Sequence, residues 1–293
     1  MNSLDHKLML NALTIDVEDY YMVSAFADKV KFEDWHRHES RVERNTYKIL
    51  ELLDEYKVKA TFFVLGWIAE RYPQLIKDIS SSGHEIASHG YNHRLIYDQT
   101  PDEFREDIRK TKKILEDITA VPVNGYRATS FSVIKETFWA LDILIEEGFK
   151  YDSSIFPIRH DRYGIHDFYR FPKKVGLDGK GEILEIPLST IQLFGKNTPI
   201  AGGGYLRLLP VRFIEWGIRS LNKKENQPAI IYFHPWEIDT EQPKLNGSRI
   251  SAFRHYINLD KTFSKIKRLL NNFQFGPIKE IFSARLTTPI SSK

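Results

Sequence analysis

Two imidazoles four residues apart, His89 and His93, stand just beyond a short β-like run in Gly83-His84-Glu85-Ile86-Ala87-Ser88-His89-Gly90-Tyr91-Asn92-His93. On one turn of helix, side chains at i and i+4 share a face, so both rings could meet one ion at the ~2.0–2.1 Å that zinc requires. Spacing alone is a weak signal, and an inert surface pair is the bland alternative until carboxylates join it. Asp16, Glu18 and Asp19 put three carboxylates into four residues. Like charges this close raise one another's pKa unless a cation or an arginine compensates, so the cluster is either a metal site or a solvated loop. Arg127, Asp152 and His234 are further polar residues that each close a short apolar run.

Composition narrows the classes. The chain has 293 residues, 42% of them hydrophobic, enough for one large α/β domain or two small ones. Its 42 basic and 39 acidic residues are interspersed, with a net charge of +3, so no nucleic-acid partner is expected. With no cysteine, any metal must use His, Asp or Glu. The start, Met1 to Leu13, lacks the apolar core and cleavage site of a secretory signal, and no window approaches a membrane span. A cytoplasmic protein without a transmembrane segment is the expectation. Aromatic content is 13%, high enough to supply both a core and sugar-stacking surfaces.

The elements that must position these residues alternate. Leu8 to Val17 reads as a buried strand that delivers Asp16 and Glu18 at its C-terminal end. Val42, Thr46, Ile49, Leu50 and Leu53 have helical spacing, and Ala60 to Leu65 is strand-like. One helix carrying Ile68, Leu75, Ile76 and Ile79 stops at Gly83, and Pro101 opens another with Thr100 as its cap. Short strands at 124–127 and 149–151 flank a helix marked by Phe138, Leu141 and Ile145. From Ile155 to Lys180 periodicity fades into a long loop. Its Arg159, His160, Arg162 and His166 read as a solvated rim or a meeting place for an anionic substrate. A strand from Glu182 to Pro187, a Gly-rich turn at 201–205, a helix from Val211 to Leu221, a strand from Pro228 to His234 and a helix through Phe263 and Phe273 complete the pattern. No repeat and no linker appears. Residues 1–284 therefore read as one domain with a C-terminal extension from about 200, and 285–293 as a loose tail.

Asp16/Glu18, His89/His93, Arg127, Asp152 and His234 each follow a strand at its C-terminal end, and in a parallel α/β barrel those ends share one face. Two histidines and a carboxylate could hold a cation beside water, a second carboxylate could take a proton, and a histidine opposite could return one. These residues resemble the NodB-homology polysaccharide deacetylases of carbohydrate esterase family 4, over roughly residues 10–280. Thr14-Ile15-Asp16-Val17-Glu18-Asp19, His89 to His93, Arg127-Ala128-Thr129-Ser130-Phe131, Tyr151-Asp152-Ser153-Ser154 and Ile231-Tyr232-Phe233-His234 are similar to its five motifs. The runs from Ser154 to Gly164 and from Phe233 to Glu237 resemble the subgroup encoded with exopolysaccharide and exosortase systems.

The resemblance implies a deformed (β/α)7-type barrel of the glycoside hydrolase/deacetylase superfamily, and removal of N-acetyl groups from an N-acetylated carbohydrate with a divalent metal, Zn2+ by expectation. It makes Asp16 the base, Arg127 its orienting partner, His234 the acid and Asp152 a support for His234. Glu18, His89 and His93 become the metal ligands, with Asp19 as fallback, and Ser130, Tyr20 and Trp236 substrate or oxyanion contacts. Three positions depart from the pattern: Val17 where a metal aspartate normally stands, Gly90 in place of Ser/Thr, and Thr129 in place of proline. Two rival readings remain. One is hydrolysis of another C–N bond, in a cyclic imide or ureide. The other is a non-catalytic carbohydrate binder that stacks sugars on Tyr20, Tyr21, Trp35, Tyr205 and Trp236.

Overall fold

The computed structural model describes residues 9–176 and 181–286. Leu10–Val17 (β1) is buried from Asn11 onward, as a parallel strand covered on both faces must be. Its alternation decides what points where. Leu13, Ile15 and Val17 enter the core beneath the helices, whereas Ala12 joins a second core in the hollow of the sheet. With a period of two, Thr14 and Asp16 fall on the hollow side with Ala12.

Val42–Glu55 (α1) buries Val42, Thr46, Ile49 and Leu53 along one stripe and leads to Thr61–Val64 (β2). The single helix expected next is two, Gly66–Arg71 (α2) and Pro73–Ser81 (α3). Pro73 has no N–H with which to continue α2 but is well suited to open α3. Glu85–Ser88 (β3) follows, then Pro101–Thr119 (α4). Thr100 caps α4 as expected: its hydroxyl accepts from the Glu103 N–H at 3.3 Å, and the Glu103 carboxylate accepts from the Thr100 N–H at 2.8 Å. Gly125–Tyr126 (β4), Trp139–Glu146 (α5) and Tyr151–Asp152 (β5) complete the first half.

Within the long loop, Lys173–Val175 (β6) lies antiparallel to Ile183–Glu185 (β7). Thr190–Leu193 (β8) and Lys196–Pro199 (β9) form a separate hairpin that the sequence pattern did not reveal. Gly204–Leu208 (α6), Val211–Lys224 (α7), Ile230–Phe233 (β10), Arg249–Tyr256 (α8), Leu259–Asn272 (α9), Gln274–Gly276 (β11), Ile278–Ile281 (α10) and Ser283–Leu286 (α11) follow. The Lys180 end of the expected loop and Leu8 of the expected first strand lie outside the described residues. So does the expected tail beyond Leu286.

The sheet runs β10-β1-β2-β3-β4-β5-β7-β6, with β11 paired to the first residues of β1. Every ladder is parallel except β6–β7. The deformed barrel is thus an open, curled sheet: β10 and β6 are its two ends, and among the described residues no strand pair joins them. Its parallel strands bring their C-terminal ends to one rim. No described helix is long and apolar enough to cross a membrane.

Candidate active site

β1 delivers two carboxylates to the rim because the residue between them faces the other way. Asp16 and Glu18 turn toward the hollow, while Val17 is fully buried against the helices. A carboxylate at position 17 would be driven into an apolar core. The wider Asp-x-Glu spacing therefore keeps both acids on the working face.

Glu18 Oε1 stands 3.0 Å from His89 Nε2 and 3.0 Å from His93 Nε2, and all three residues are buried. The histidines do not converge on a helix, contrary to the expectation from their spacing. The segment is a loop bent by left-handed residues, Gly90 at φ +73° and His93 at φ +58°. A Cβ on Gly90 would lie 3.1 Å from Asp107 Oδ1, the carboxylate that accepts the Tyr91 N–H at 3.0 Å. Conformation and crowding together account for glycine where a hydroxyl residue was expected. Burial tends to raise the Glu18 pKa, but the facing His93 and His234 and the His89 and His93 hydrogen bonds outweigh it and hold the carboxyl well below its ordinary value.

Asp19 is not part of this cluster. Its Oδ2 accepts from the Ser40 hydroxyl at 2.9 Å and from the Arg41 and Val42 N–H groups at 2.7 and 3.0 Å, which ties it to the start of α1. The fallback ligand is a helix anchor.

Arg127 is fully buried in the hollow, its guanidinium 4.1 Å from the Phe63 ring centroid. Nη1 donates to Asp16 Oδ1 at 2.7 Å and Thr14 Oγ1 at 2.8 Å, while Nε and Nη2 donate to the Ser153 carbonyl and hydroxyl at 3.0 Å each. One Asp16 oxygen is thus occupied and the other is turned toward His234. The Arg127 carbonyl accepts from His89 Nδ1 at 2.7 Å. Thr129, where proline was expected, donates its hydroxyl to the Arg94 carbonyl at 3.0 Å and so ties the third motif to the residue after His93. Ser130 lines the cleft at φ +49° with its hydroxyl 2.6 Å from that of Ser24, and Phe131 follows at φ +54°. Consecutive left-handed non-glycine residues are costly and concentrate where a loop must present a group.

His234 Nε2 faces Asp16 Oδ2 at 3.9 Å and Glu18 Oε2 at 4.0 Å. Its other nitrogen is held by Glu237, at 2.5 Å from Oε1, and Glu237 Oε2 accepts from Arg207 Nε at 2.9 Å. Glu237 and Arg207 were missed in the sequence. The signal for Glu237 was the i, i+3 spacing in His234-Pro235-Trp236-Glu237, which closes one 3-10 turn; nothing local marked Arg207. Burial acts to lower the His234 pKa, but Glu18, Glu237 and Asp16 outweigh it and raise it to about 9.

Asp152 does not support His234. It pairs with Glu185 on the adjacent strand β7, with Ser154 donating to Oδ1 at 2.5 Å and the Ile155 N–H to Glu185 Oε1 at 3.0 Å. Asp152 Oδ2 and Glu185 Oε2 have no other donor, and burial pushes both pKa values up, so the pair holds a shared proton. Tyr20 is 1% exposed and offers no face to a substrate. Tyr21 and Trp35 are likewise core residues. Trp236 borders the cleft, but its ring is stacked between His234 at 5.2 Å and His255 at 4.2 Å and so backs the His234 ring rather than offering a face to a sugar. Of the rival binder's aromatics, only Tyr205 keeps partial exposure.

The donor set suits a divalent cation of the kind that imidazole and carboxylate select. With Nδ1 donating to the Arg127 carbonyl, an Nε2 lone pair on His89 would face Glu18 Oε1. Two acceptors 3.0 Å apart are reconciled by a proton or a cation between them. Around that point a cleft of about 180 Å³ brings Asp16, Glu18, His93, Ser130 and His234 together.

Residues 30–144 match the family model for polysaccharide deacetylase, and residues 153–283 match a domain of unknown function, DUF3473. A peptidoglycan-N-acetylglucosamine deacetylase of Bacillus cereus is 46% identical over 70 residues, 24% of this chain and 26% of that protein. A peptidoglycan deacetylase of Helicobacter pylori is 31% identical over 110 residues, 37% of this chain and 36% of that one. The chain thus spans a quarter to just over a third of the length of these curated relatives. In fold, it is similar to a Mycobacterium smegmatis protein named as a candidate polysaccharide deacetylase, with a TM-score of 0.61 and 22% identity over 100% of this chain and 96% of the other. Residues 30–144, which carry His89, His93 and Arg127, are thus the part of the chain that is similar to the polysaccharide deacetylase family.

Proposed function

We propose that the protein is a metal-dependent hydrolase that removes N-acetyl groups from an N-acetylated polysaccharide, or its precursor, in bacterial exopolysaccharide biosynthesis. The observation that carries this reading is the division of labour between two acids from one strand. Glu18 sits with the two histidines, whereas Asp16 sits with Arg127 and turns its free oxygen to His234. A divalent cation held by Glu18, His89 and His93, with zinc the expectation, would supply Lewis-acid polarisation of the amide carbonyl and acidify water.

The chain's own groups supply the proton transfers. Asp16 Oδ2 accepts the proton of the attacking water. His234, protonated at Nε2 and held through Nδ1 by Glu237, gives its proton to the departing sugar amine. Arg127 keeps the Asp16 carboxylate turned to the cleft through a buried ion pair. The resemblance of the runs from Ser154 to Gly164 and from Phe233 to Glu237 to the exopolysaccharide-associated subgroup supports that setting.

The test is acetate release from chitooligosaccharides by the zinc-loaded protein, with Asp16→Asn as comparison. The expected outcome is turnover in the wild type and a fall of ~10²–10⁴-fold in Asp16→Asn with metal content unchanged. Loss of metal from Asp16→Asn, or equal turnover by both proteins, would defeat the assignment of roles.

A further inference from the structure

Outside the catalytic cleft, the loop at 157–170 and the β8–β9 hairpin enclose a groove of about 760 Å³. It is a built cavity: Asn197 on the hairpin donates Nδ2 to the carbonyls of Pro157 at 2.8 Å and His166 at 3.4 Å, which fastens the loop to the hairpin. The charges on its walls do not balance. The Asp167 carboxylate is taken by Lys135 at 2.5 Å, and Arg170 is taken by Glu225 at 2.7 Å and the Thr190 carbonyl at 2.7 Å.

Arg159 and Lys196 are left facing the groove. Arg159 reaches only the ring of His166, at 3.4 Å, and neither cation has a carboxylate partner among the described residues. Tyr205 forms one wall and is hydrogen-bonded to Tyr163, which lines the catalytic cleft. On the cleft side of those tyrosines Arg254 is a third cation without a hydrogen bond or ion pair among the described residues. A neutral glycan would leave three cations uncompensated along one path, whereas an anionic one would neutralise them.

We propose that this groove binds an anionic unit, a sugar carboxylate or a phosphate, carried by the same molecule whose N-acetyl group enters the cleft. The inference deepens the deacetylase reading and rests on it for the identity of the cleft ligand. Arg159 and Lys196 grip the charge, while Tyr163 and Tyr205 set the spacing to the catalytic cleft.

Calorimetric binding to the zinc-loaded protein tests it, with chitotetraose as the neutral probe, a hyaluronan tetrasaccharide as the carboxylate probe and uridine diphosphate N-acetylglucosamine as the phosphate probe. The wild type should bind at least one charged probe about 10-fold more tightly than the neutral one at low salt, and Arg159→Gln/Lys196→Gln should abolish that preference while leaving chitotetraose binding unchanged. The charged probe that shows this dependence identifies the source of the anion. Equal binding of all three, or a preference that survives the double substitution, overturns the proposal. Acetate release is scored separately: a groove preference without any turnover would strike the deacetylase reading alone, and turnover without a preference would strike the groove alone.

Discussion

At the scale of single residues, Glu18 and Asp19 are neighbours with opposite duties. Glu18→Ala should abolish stoichiometric zinc binding with little change in folding, because the lost group belongs to the rim. Asp19→Ala should keep the metal and lose about 1–3 kcal/mol of stability, because four donors, the Ser40 hydroxyl and the Tyr20, Arg41 and Val42 N–H groups, lose their acceptor. Metal analysis and urea denaturation of both variants separate the two; metal loss from Asp19→Ala would reverse the assignment. Glu237 acts through His234. Its carboxylate helps raise the His234 pKa to about 9, so in Glu237→Gln the protonated ring should be lost at lower pH. The alkaline limb of kcat should move to more acidic pH and kcat should fall about 10-fold or more, with KM little changed. An unmoved limb would show that Glu237 only packs against the ring.

At the scale of elements, what could be read in the sequence was what periodicity and capping chemistry declare. The Thr100-Pro101 start of α4 and the buried β1 follow from local residues, and the placement of His89, Arg127 and His234 at strand ends follows from the alternation. What escaped depended on contacts far along the chain. The partner of Asp152 is Glu185, 33 residues away across β5 and β7, and no local pattern marks that pair. The HxxxH segment misled because its spacing fits a helix, whereas Gly90 and His93 at positive φ make it a loop. Gly90→Ser should therefore destabilise by about 1–2 kcal/mol, since a side chain there meets both the left-handed backbone and Asp107. Asp107 adds a pH dependence. Burial pushes its carboxyl up to about 6, more than the Tyr91 N–H draws it down. Its folded pKa lies above its unfolded one, so its contribution to stability is full below about pH 4 and is lost as pH rises through about 6. Asp107→Asn should flatten the decline between pH 4 and 7 in urea midpoints; an unchanged slope would assign that decline to other groups.

At the scale of the whole molecule, the two family-model matches meet between 144 and 153, but the sheet does not divide there. β1 pairs with β10 through Ala12↔Ile230 to Ile15↔Phe233 and with β11 through Leu10↔Gln274 to Ala12↔Gly276, and β5 pairs with β7. The site obeys the same logic: Asp16, Glu18, His89, His93 and Arg127 come from the first half, His234 and Glu237 from the second. A fragment of residues 9–150 would keep four of the parallel strands but strip β1 of both C-terminal partners. Its backbone donors and acceptors on that edge would have only water, and Ala12 would lose the second core that Ile230, Tyr232 and Ile278 complete. The fragment should lack cooperative urea unfolding and dispersed amide resonances, and adding residues 151–286 in trans should restore both. Cooperative unfolding of the fragment alone would mean that the half matching the polysaccharide deacetylase model folds by itself and that the second half is an attachment to it.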